Sequence, residues 1–223
     1  MIPNLLWRCP LCHAADALVH RRPWFRPEDL RCTRCGTTWD VRRVIGDDFR
    51  LRVVAGELAD RGTEMPLAEW YDLMKAGFKL PAMAHDASLA LAPGEELHLE
   101  SRAADLRTEQ DSPLFGEWSS PEAPAQAARD LRLPFMKPWD TGRLALTSER
   151  LIWRGRRGTL TFRLQRLNSV HTEVTWYLGL MYGMRQYKVH FHHESVLKWL
   201  TYLGTAARRI EEIHHHRIAL SNY

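Results

Sequence analysis

All four cysteines of this 223-residue chain fall in two C-x-x-C pairs, and their placement constrains the fold more than any other feature. The pairs are Cys9 with Cys12 in RCPLCH and Cys32 with Cys35 in RCTRCG, and nineteen residues separate Cys12 from Cys32. This spacing fits the C-x2-C-x15-20-C-x2-C pattern of zinc sites. Each turn presents two sulfurs, so two turns supply the four corners of a tetrahedron. We therefore expect the four thiolates to bind one structural zinc ion and to leave no position open for water.

There are three alternatives to a zinc site. The cysteines could form two local disulfides, include a thioredoxin-like redox pair, or remain as thiols without a ligand. A redox site usually has a single C-x-x-C near a βαβ pattern, and this sequence shows two pairs and no βαβ pattern. His13 and His20 are alternative ligands, although a complete set of cysteines favours solvated or supporting histidines.

The segment from about residue 5 to residue 45 resembles the zinc ribbons in its two knuckles, CPLC and CTRCG. The first knuckle departs from that family, because His13 occupies the place of the common glycine. Gly36 follows the second knuckle and can adopt a positive φ. We assign residues 1–56 to a zinc ribbon. A unit of this size buries little apolar surface, so the metal should stabilise much of its fold.

Composition and charge limit the fold and the partners that the rest of the chain can have. With 45% hydrophobic residues, it can bury one core of ordinary size beside the metal unit. The N-terminus MIPNLLWRCP lacks the features of a signal peptide, and no run of eighteen apolar residues occurs, so we expect a soluble cytoplasmic protein. The net charge is +4 over residues 1–56, −7 over 57–138 and +7 over 139–223. The basic ends would meet an anionic partner, although such an excess is also common on solvated surfaces.

The segment MPLAEWYDLMKAGF predicts a short amphipathic helix within a linker at residues 57–87. Pro66 suits the first helical position, and Gly77 suits the end. The apolar stripe consists of Leu67, Trp70, Tyr71 and Met74. We expect this stripe to pack on a neighbouring domain, the alternative being contact of its aromatic residues with a membrane or a partner.

Residues 88–223 show the pattern of a β domain that ends in a helix. Alternating apolar residues predict a strand near Leu97 and several strands after Thr141, and a helical period predicts a helix from Glu194 to about His214. Residues 108–138 contain five prolines and little β periodicity, which predicts a long insertion with one short helix. The expected fold is therefore mainly β with some α: a zinc ribbon, a linker helix, and a small barrel or sandwich capped by the C-terminal helix.

The run GRLALTSERLIW resembles the GRAM and bacterial PH-like domains. The residues that match the family's G-x-L-x-L-T-x-x-R-L-I run are Gly142, Leu144, Leu146, Thr147, Arg150, Leu151 and Ile152. PGEEL before this run and FRLQRLNSV after it extend the match over roughly residues 88–212. The resemblance implies a seven-stranded PH-like barrel with a capping helix. In that superfamily such barrels bind phosphoinositides, other acidic lipid headgroups, or protein partners.

The turn WRGRRGT is the candidate anion site of this domain. Arg154, Arg156 and Arg157 carry guanidinium forks that suit phosphate oxygens, and Trp153 could lie at a headgroup interface. The glycines at 155 and 158 expose the backbone. The alternative is that these arginines form a solvated hairpin tip with no ligand. This alternative is supported by the long loop after the first strand, which lacks the basic cluster of many phosphoinositide-binding PH domains.

The sequence contains no G-x-S-x-G, H-E-x-x-H or P-loop motif, so we expect no enzymatic activity. Histidines cluster at 190–193 and 214–216, where a second metal or a pH-sensitive surface is conceivable.

The leading hypothesis is a cytoplasmic adaptor, peripheral at a membrane, whose PH-like domain engages acidic lipid headgroups or a protein partner. One alternative is an accessory module of a lipid-modifying enzyme on another chain. The other is a nucleic-acid-associated zinc ribbon, suggested by five arginines beside Trp24 and Phe25: Arg21, Arg22, Arg26, Arg31 and Arg34.

Overall fold

Short alternating segments between turns give the chain a mainly β architecture with few helices. The structure is a computed structural model that describes residues 2–44, 48–85, 89–108, 139–173 and 176–222. The chain divides into two compact units, Met1–Lys79 (unit 1) and Leu80–Tyr223 (unit 2). The sequence-based boundaries at 1–56, 57–87 and 88–223 stay predictions. Among the helices described, none is long and apolar enough to cross a membrane.

Unit 1 is a five-stranded antiparallel meander in which each strand pairs with the next one in sequence. Its elements are α1 (Ile2–Leu5), β1 (Leu18–Arg21), β2 (Glu28–Cys32), β3 (Thr38–Arg43), β4 (Phe49–Ala55), β5 (Glu64–Pro66) and α2 (Leu67–Lys75). Alternating residues of β2, β3 and β4 face inward, and Leu30, Trp39 and Leu51 are fully buried. The sheet therefore has one apolar face, which needs a cover.

Helix α2 covers that face, so the segment predicted as a linker helix belongs to the core of unit 1. Of its predicted stripe, Leu67, Trp70 and Met74 are buried and Tyr71 is half-buried. The ring of Trp70 packs edge-to-face on Trp39 with centroids 5.8 Å apart, and its Nε1 donates to the Leu51 carbonyl at 3.1 Å. The sequence predicted the stripe, and the indole hydrogen bond fixes its orientation on the sheet.

Among its described residues, unit 2 has a nine-stranded sheet and one long helix. Its elements are β6 (Leu97–Glu100), β7 (Ala104–Thr108), β8 (Asp140–Thr147), β9 (Arg150–Gly155), β10 (Gly158–Arg163), a 3-10 turn (Leu164–Arg166), β11 (Leu167–Glu173), β12 (Tyr177–Tyr182), β13 (Arg185–Phe191), α3 (Val196–His214) and β14 (Ala219–Asn222). The strand order is β10-β9-β8-β7-β13-β12-β11-β14, and β6 also pairs with β8. The predicted insertion at 108–138 lies, apart from Thr108, outside the described residues.

The sheet of unit 2 is not closed into a barrel, which corrects the expected seven-stranded barrel. Strand β14 pairs in parallel with β11 and occupies the edge of β11 that a closing strand would need. At the other end of the sheet, Phe162 of β10 packs edge-to-face on Tyr182 and Tyr187, with centroids 5.4 and 4.9 Å away. Side-chain packing therefore connects β10 with β12 and β13. In a closed barrel, hydrogen bonds between backbone groups would make such a connection.

Helix α3 packs on β6, β11 and β12. The Ser195 hydroxyl accepts from the Lys198 N–H at 3.2 Å, which caps the N-terminus of the helix, and His215 ends it in the left-handed conformation at φ 53°. Trp199 is fully buried and stacks on Phe191 with centroids 4.7 Å apart. The C-terminal helix predicted from Glu194 to about His214 is therefore confirmed to within two residues at its start.

Candidate metal centre and anion pocket

The two C-x-x-C turns of unit 1 bring their four sulfur atoms together, all within 4.8 Å of one another. The Sγ atoms of Cys9 and Cys35 are 3.8 Å apart, and those of Cys12 and Cys32 are 3.7 Å apart. Four sulfurs bound at about 2.3 Å to one zinc ion in a tetrahedron lie about 3.8 Å from each other. These two separations match those of a zinc tetrahedron, and all four cysteines are free of disulfides.

The backbone forms the same turn at both knuckles. The N–H of His13 donates to the Cys9 carbonyl at 2.9 Å, and the N–H of Gly36 donates to the Cys32 carbonyl at 3.0 Å. Both residues are left-handed, at φ 58° for His13 and φ 74° for Gly36. The histidine that departs from the zinc-ribbon pattern thus adopts the conformation that favours glycine. His13 is exposed and lies outside the sulfur cluster.

His20, the other alternative ligand, has a partner of its own. Its Nε2 lies 3.2 Å from Glu28 Oε2 across the β1–β2 ladder. Burial lowers the pKa of His20 despite the nearby Glu28 carboxylate, so the ring is mainly neutral at pH 7. The sulfur cluster therefore contains four cysteines and neither histidine.

The thiols of the cluster differ in acidity. Burial raises the pKa of Cys9 far above its usual range and also raises the pKa of Cys12. Burial acts in the same direction on Cys35, but hydrogen bonds with the Thr37 hydroxyl and backbone outweigh it and lower the pKa of Cys35 to about 7. A cation at the centre would favour the thiolate form of all four, because it offsets the cost of burying negative charge.

On unit 2, four arginines line one open pocket of about 490 Å³. Its lining consists of Arg102, Thr141, Gly142, Arg143, Arg154, Gly155 and Arg156. Of the four residues predicted to bind an anion, Arg154 and Arg156 line this pocket, whereas Trp153 and Arg157 do not. Arg154 also forms an ion pair with Glu100, so one carboxylate offsets part of the positive charge.

Trp153 is fully buried, and in this structure it does not reach a headgroup surface. Its indole Nε1 donates to Asp140 Oδ2 at 3.0 Å. The guanidinium of Arg157 lies over the ring of Trp139, 5.1 Å from the centroid. Both residues thus contribute to packing near the pocket, and the turn presents Arg154 and Arg156 to it.

The buried carboxylate of Asp140 fixes the conformation of the β9–β10 turn. Its Oδ1 accepts from the backbone N–H groups of Thr141 and Arg156 at 2.9 and 3.1 Å, and its Oδ2 accepts from the Arg157 N–H at 3.4 Å. A Cβ at Gly155 would overlap this carboxylate, so the glycine is required by close approach. The turn is therefore held by backbone hydrogen bonds, independently of its arginine side chains.

Sequence reasoning missed Arg102, Arg143 and Asp140. Arg143 pairs in register with Arg154 across β8 and β9. The alternation that sends Leu144 inward puts Arg143 on the outer face, which was a usable signal. Arg102 lies between β6 and β7, and nothing in its local sequence marks it as a neighbour of Arg154.

A third feature lies on unit 1, in the loop between β1 and β2. Trp24 and Phe25 are each 95% exposed at its tip. All five arginines predicted to flank them are exposed: Arg21, Arg22, Arg26, Arg31 and Arg34. Aromatic side chains of this size are rarely so accessible without a partner.

No protein-family model matches the chain, and no curated protein matches it. Among solved structures, it is similar to the Vps36 N-terminal PH domain, with 17% sequence identity and a TM-score of 0.35. The alignment covers 55% of this chain and 84% of that domain. A likeness at this level assigns no function, which has to rest on the chain's own residues.

Proposed function

We propose that this chain is a non-enzymatic adaptor that binds acidic lipid headgroups through the arginine pocket of a PH-like unit 2. The observation that carries this proposal is that Arg102, Arg143, Arg154 and Arg156 all line one pocket. Guanidinium groups bind phosphate oxygens through paired hydrogen bonds, and several around one concavity favour a multiply charged anion. The protein would then be cytoplasmic and peripheral at a membrane.

The pocket is open, which suits a headgroup that remains attached to a bilayer. Binding dominated by such charges should weaken as salt concentration rises.

Zinc has a structural role in this proposal. Cys9, Cys12, Cys32 and Cys35 would hold the ion at the edge of the unit 1 sheet, and the sulfur separations of 3.7 and 3.8 Å support that assignment. The ion would fix the two knuckles and, through them, the start of β1 and the end of β2.

Vesicle flotation tests the lipid proposal directly. The full chain is mixed with phosphatidylcholine vesicles that contain or lack phosphatidylserine or a phosphoinositide, at low and high salt. We expect recovery with the anionic vesicles alone and its loss in an Arg143→Gln/Arg156→Gln variant. Arg163→Gln is the matched control, because Arg163 is exposed on β10 outside the pocket. Equal recovery with neutral and anionic vesicles would exclude selective binding of acidic headgroups and leave an acidic protein segment as the ligand of the pocket.

A second candidate function is binding of single-stranded nucleic acid by unit 1. The 95% exposure of Trp24 and Phe25 favours it, since exposed aromatics can stack on bases while neighbouring arginines contact phosphates. A fluorescein-labelled oligonucleotide titrated at two salt concentrations provides the test. Trp24→Ala/Phe25→Ala should abolish binding, and Met184→Ala, which removes a 98% exposed side chain of unit 2, should not. Absence of binding at low salt would end this candidate.

A further inference from the structure

Strand pairing in unit 2 aligns three polar side chains across neighbouring strands. His190 of β13 lies directly opposite Asp105 of β7, and Asp105 lies opposite Thr141 of β8. His192 follows directly after β13 ends at Phe191, and its ring lies 5.7 Å from that of His190, centroid to centroid. Two imidazoles thus lie beside one carboxylate.

The distances in this group are short. His192 Nε2 lies 3.0 Å from Asp105 Oδ2, and the Thr141 hydroxyl donates to Asp105 Oδ1 at 2.9 Å. One ligand atom each from Asp105, His190 and His192 can be chosen so that all three lie within 4.8 Å of one another. Nitrogen and oxygen ligands at about 2.0–2.1 Å from one tetrahedral ion are about 3.3 Å apart, so small side-chain rotations would complete the geometry.

We propose that Asp105, His190 and His192 form a second metal site, which binds a divalent transition-metal ion such as zinc independently of the four cysteines. Two imidazole nitrogens and one carboxylate oxygen suit zinc, nickel or copper better than calcium or magnesium. Three protein ligands leave one tetrahedral position for water or another small ligand. The side chain of His192 is 34% exposed, which gives an ion access from solvent.

The surroundings prepare both kinds of ligand. The Thr141 hydroxyl orients the Asp105 carboxylate, as hydrogen-bonded partners of metal ligands commonly do. The ring of Tyr177 packs against His190 with centroids 5.4 Å apart. An unprotonated imidazole nitrogen carries the lone pair that a metal requires.

The alternative is a plain hydrogen bond between His192 and Asp105. That bond requires a proton between Nε2 and Oδ2, and a bound ion would replace this proton. The plain hydrogen bond accounts for two of the three residues. It gives no role to His190, whose nitrogen is also within reach of both partners.

The test uses the full chain with its cysteine site already loaded with zinc. Zinc is titrated in further by isothermal calorimetry, and bound metal is counted by mass spectrometry after gel filtration. We expect two zinc ions per chain in the parent and one in His190→Gln/His192→Gln. The matched control, His214→Gln/His215→Gln, removes two exposed histidines at the end of α3 and should still bind two.

Two further measurements distinguish loss of the metal site from misfolding of the double variant. Asp105→Asn keeps the shape of the side chain and should weaken the second equivalent at least about tenfold while the cysteine site stays loaded. In the parent, the ring ¹⁵N resonances of His190 and His192 should shift together with the second equivalent. A parent that binds one zinc, or a second equivalent that His190→Gln/His192→Gln retains, would overturn the proposal.

Discussion

The fully buried carboxylate of Glu95 receives two parallel hydrogen bonds from the guanidinium of Arg150. Arg150 Nε donates to Oε1 and Nη2 donates to Oε2, both at 2.9 Å. The Thr147 hydroxyl donates to the same Oε1 at 2.6 Å. Thr147 and Arg150 belong to the run that resembles the GRAM domains, and Glu95 lies in the preceding PGEEL segment. These three residues of the resemblance therefore stabilise the fold of unit 2.

Removal of the Glu95 charge should destabilise unit 2. Glu95→Gln would leave the guanidinium of Arg150 without its anionic partner in a largely buried position, which costs about 3 kcal/mol. Urea denaturation followed by circular dichroism measures the loss. Glu96→Gln is the control, since Glu96 is exposed and its substitution should change stability by less than about 0.5 kcal/mol. Equal midpoints for the two variants would contradict a stabilising ion pair.

The same pair predicts a particular acid sensitivity. Burial acts to raise the pKa of Glu95, but hydrogen bonds from Arg150, Thr147 and the Ala92 N–H outweigh it, so the pKa lies below its ordinary value of 4.5. The resulting stability is fully present above pH 4.5 and is lost as the pH falls through the folded-state pKa. Stability of the parent should therefore decrease more steeply than that of Glu95→Gln below this pH. Parallel acid-unfolding curves would show that Glu95 has no such role.

Loss of one cysteine should remove the zinc of unit 1. Cys35→Ser leaves three thiolates, and the metal stabilises a structural site of this type by on the order of 10 kcal/mol. We expect one zinc fewer per chain than in the parent, early melting of unit 1, and persistence of unit 2, which has its own buried core. Arg34→Gln, an exposed change in the same knuckle, should retain the metal. Complete unfolding of Cys35→Ser would show that the two units unfold as one.

The thiols should react at different rates in the metal-free, reduced protein. With a pKa of about 7, Cys35 is the most nucleophilic of the four near neutral pH, whereas burial keeps Cys9 protonated. Iodoacetamide should therefore modify Cys35 first, at a rate that falls about tenfold for each pH unit below that pKa. Peptide mapping by mass spectrometry identifies the modified residue, and added zinc should protect it. Equal labelling of Cys9 and Cys35 would contradict the difference in acidity.

The turn beside the arginine pocket should not tolerate a side chain at position 155. The Cβ in Gly155→Ala would overlap the Asp140 carboxylate and the Trp153 indole, which should cost about 2 kcal/mol and reduce vesicle binding. Gly204→Ala is the contrasting case, because its Cβ would approach only a Leu220 methyl at 3.2 Å. Alanine favours the helix there by up to about 1 kcal/mol. Thermal melts that rank the two variants in the opposite order would refute this account.

Local patterns predicted the features that local chemistry determines. The C-x-x-C spacing predicted which four cysteines meet. Each local turn brings two sulfur atoms together, and the two turns together give the four ligands of one site. The stripe of Leu67, Trp70, Tyr71 and Met74 predicted α2, since a helix has one buried face, and three of these four residues are buried. The stripe did not indicate which surface α2 packs against, so the assignment of α2 to the core of unit 1 came from the structure.

Features that depend on distant strands were not predictable in this way. The four residues of β14 have no periodicity of their own, yet they pair in parallel with β11 at the end of the sheet. Arg102 and Arg143 reach the pocket from separate strands or connections, and Trp153 is buried because Asp140 satisfies its indole N–H. Each of these outcomes is set by tertiary pairing, for which a single sequence gives weak evidence.

The anchoring of the β9–β10 turn by Asp140 has an evolutionary consequence. Asp140 holds the backbone N–H groups of Arg156 and Arg157, so exchange of either side chain leaves the anchoring bonds intact. A point mutation at Arg156, which lines the pocket, can then alter the charge there without breaking these bonds. Among descendants of this gene, the charge at position 156 is therefore free to drift, while purifying selection should act on Asp140, Trp153 and Gly155.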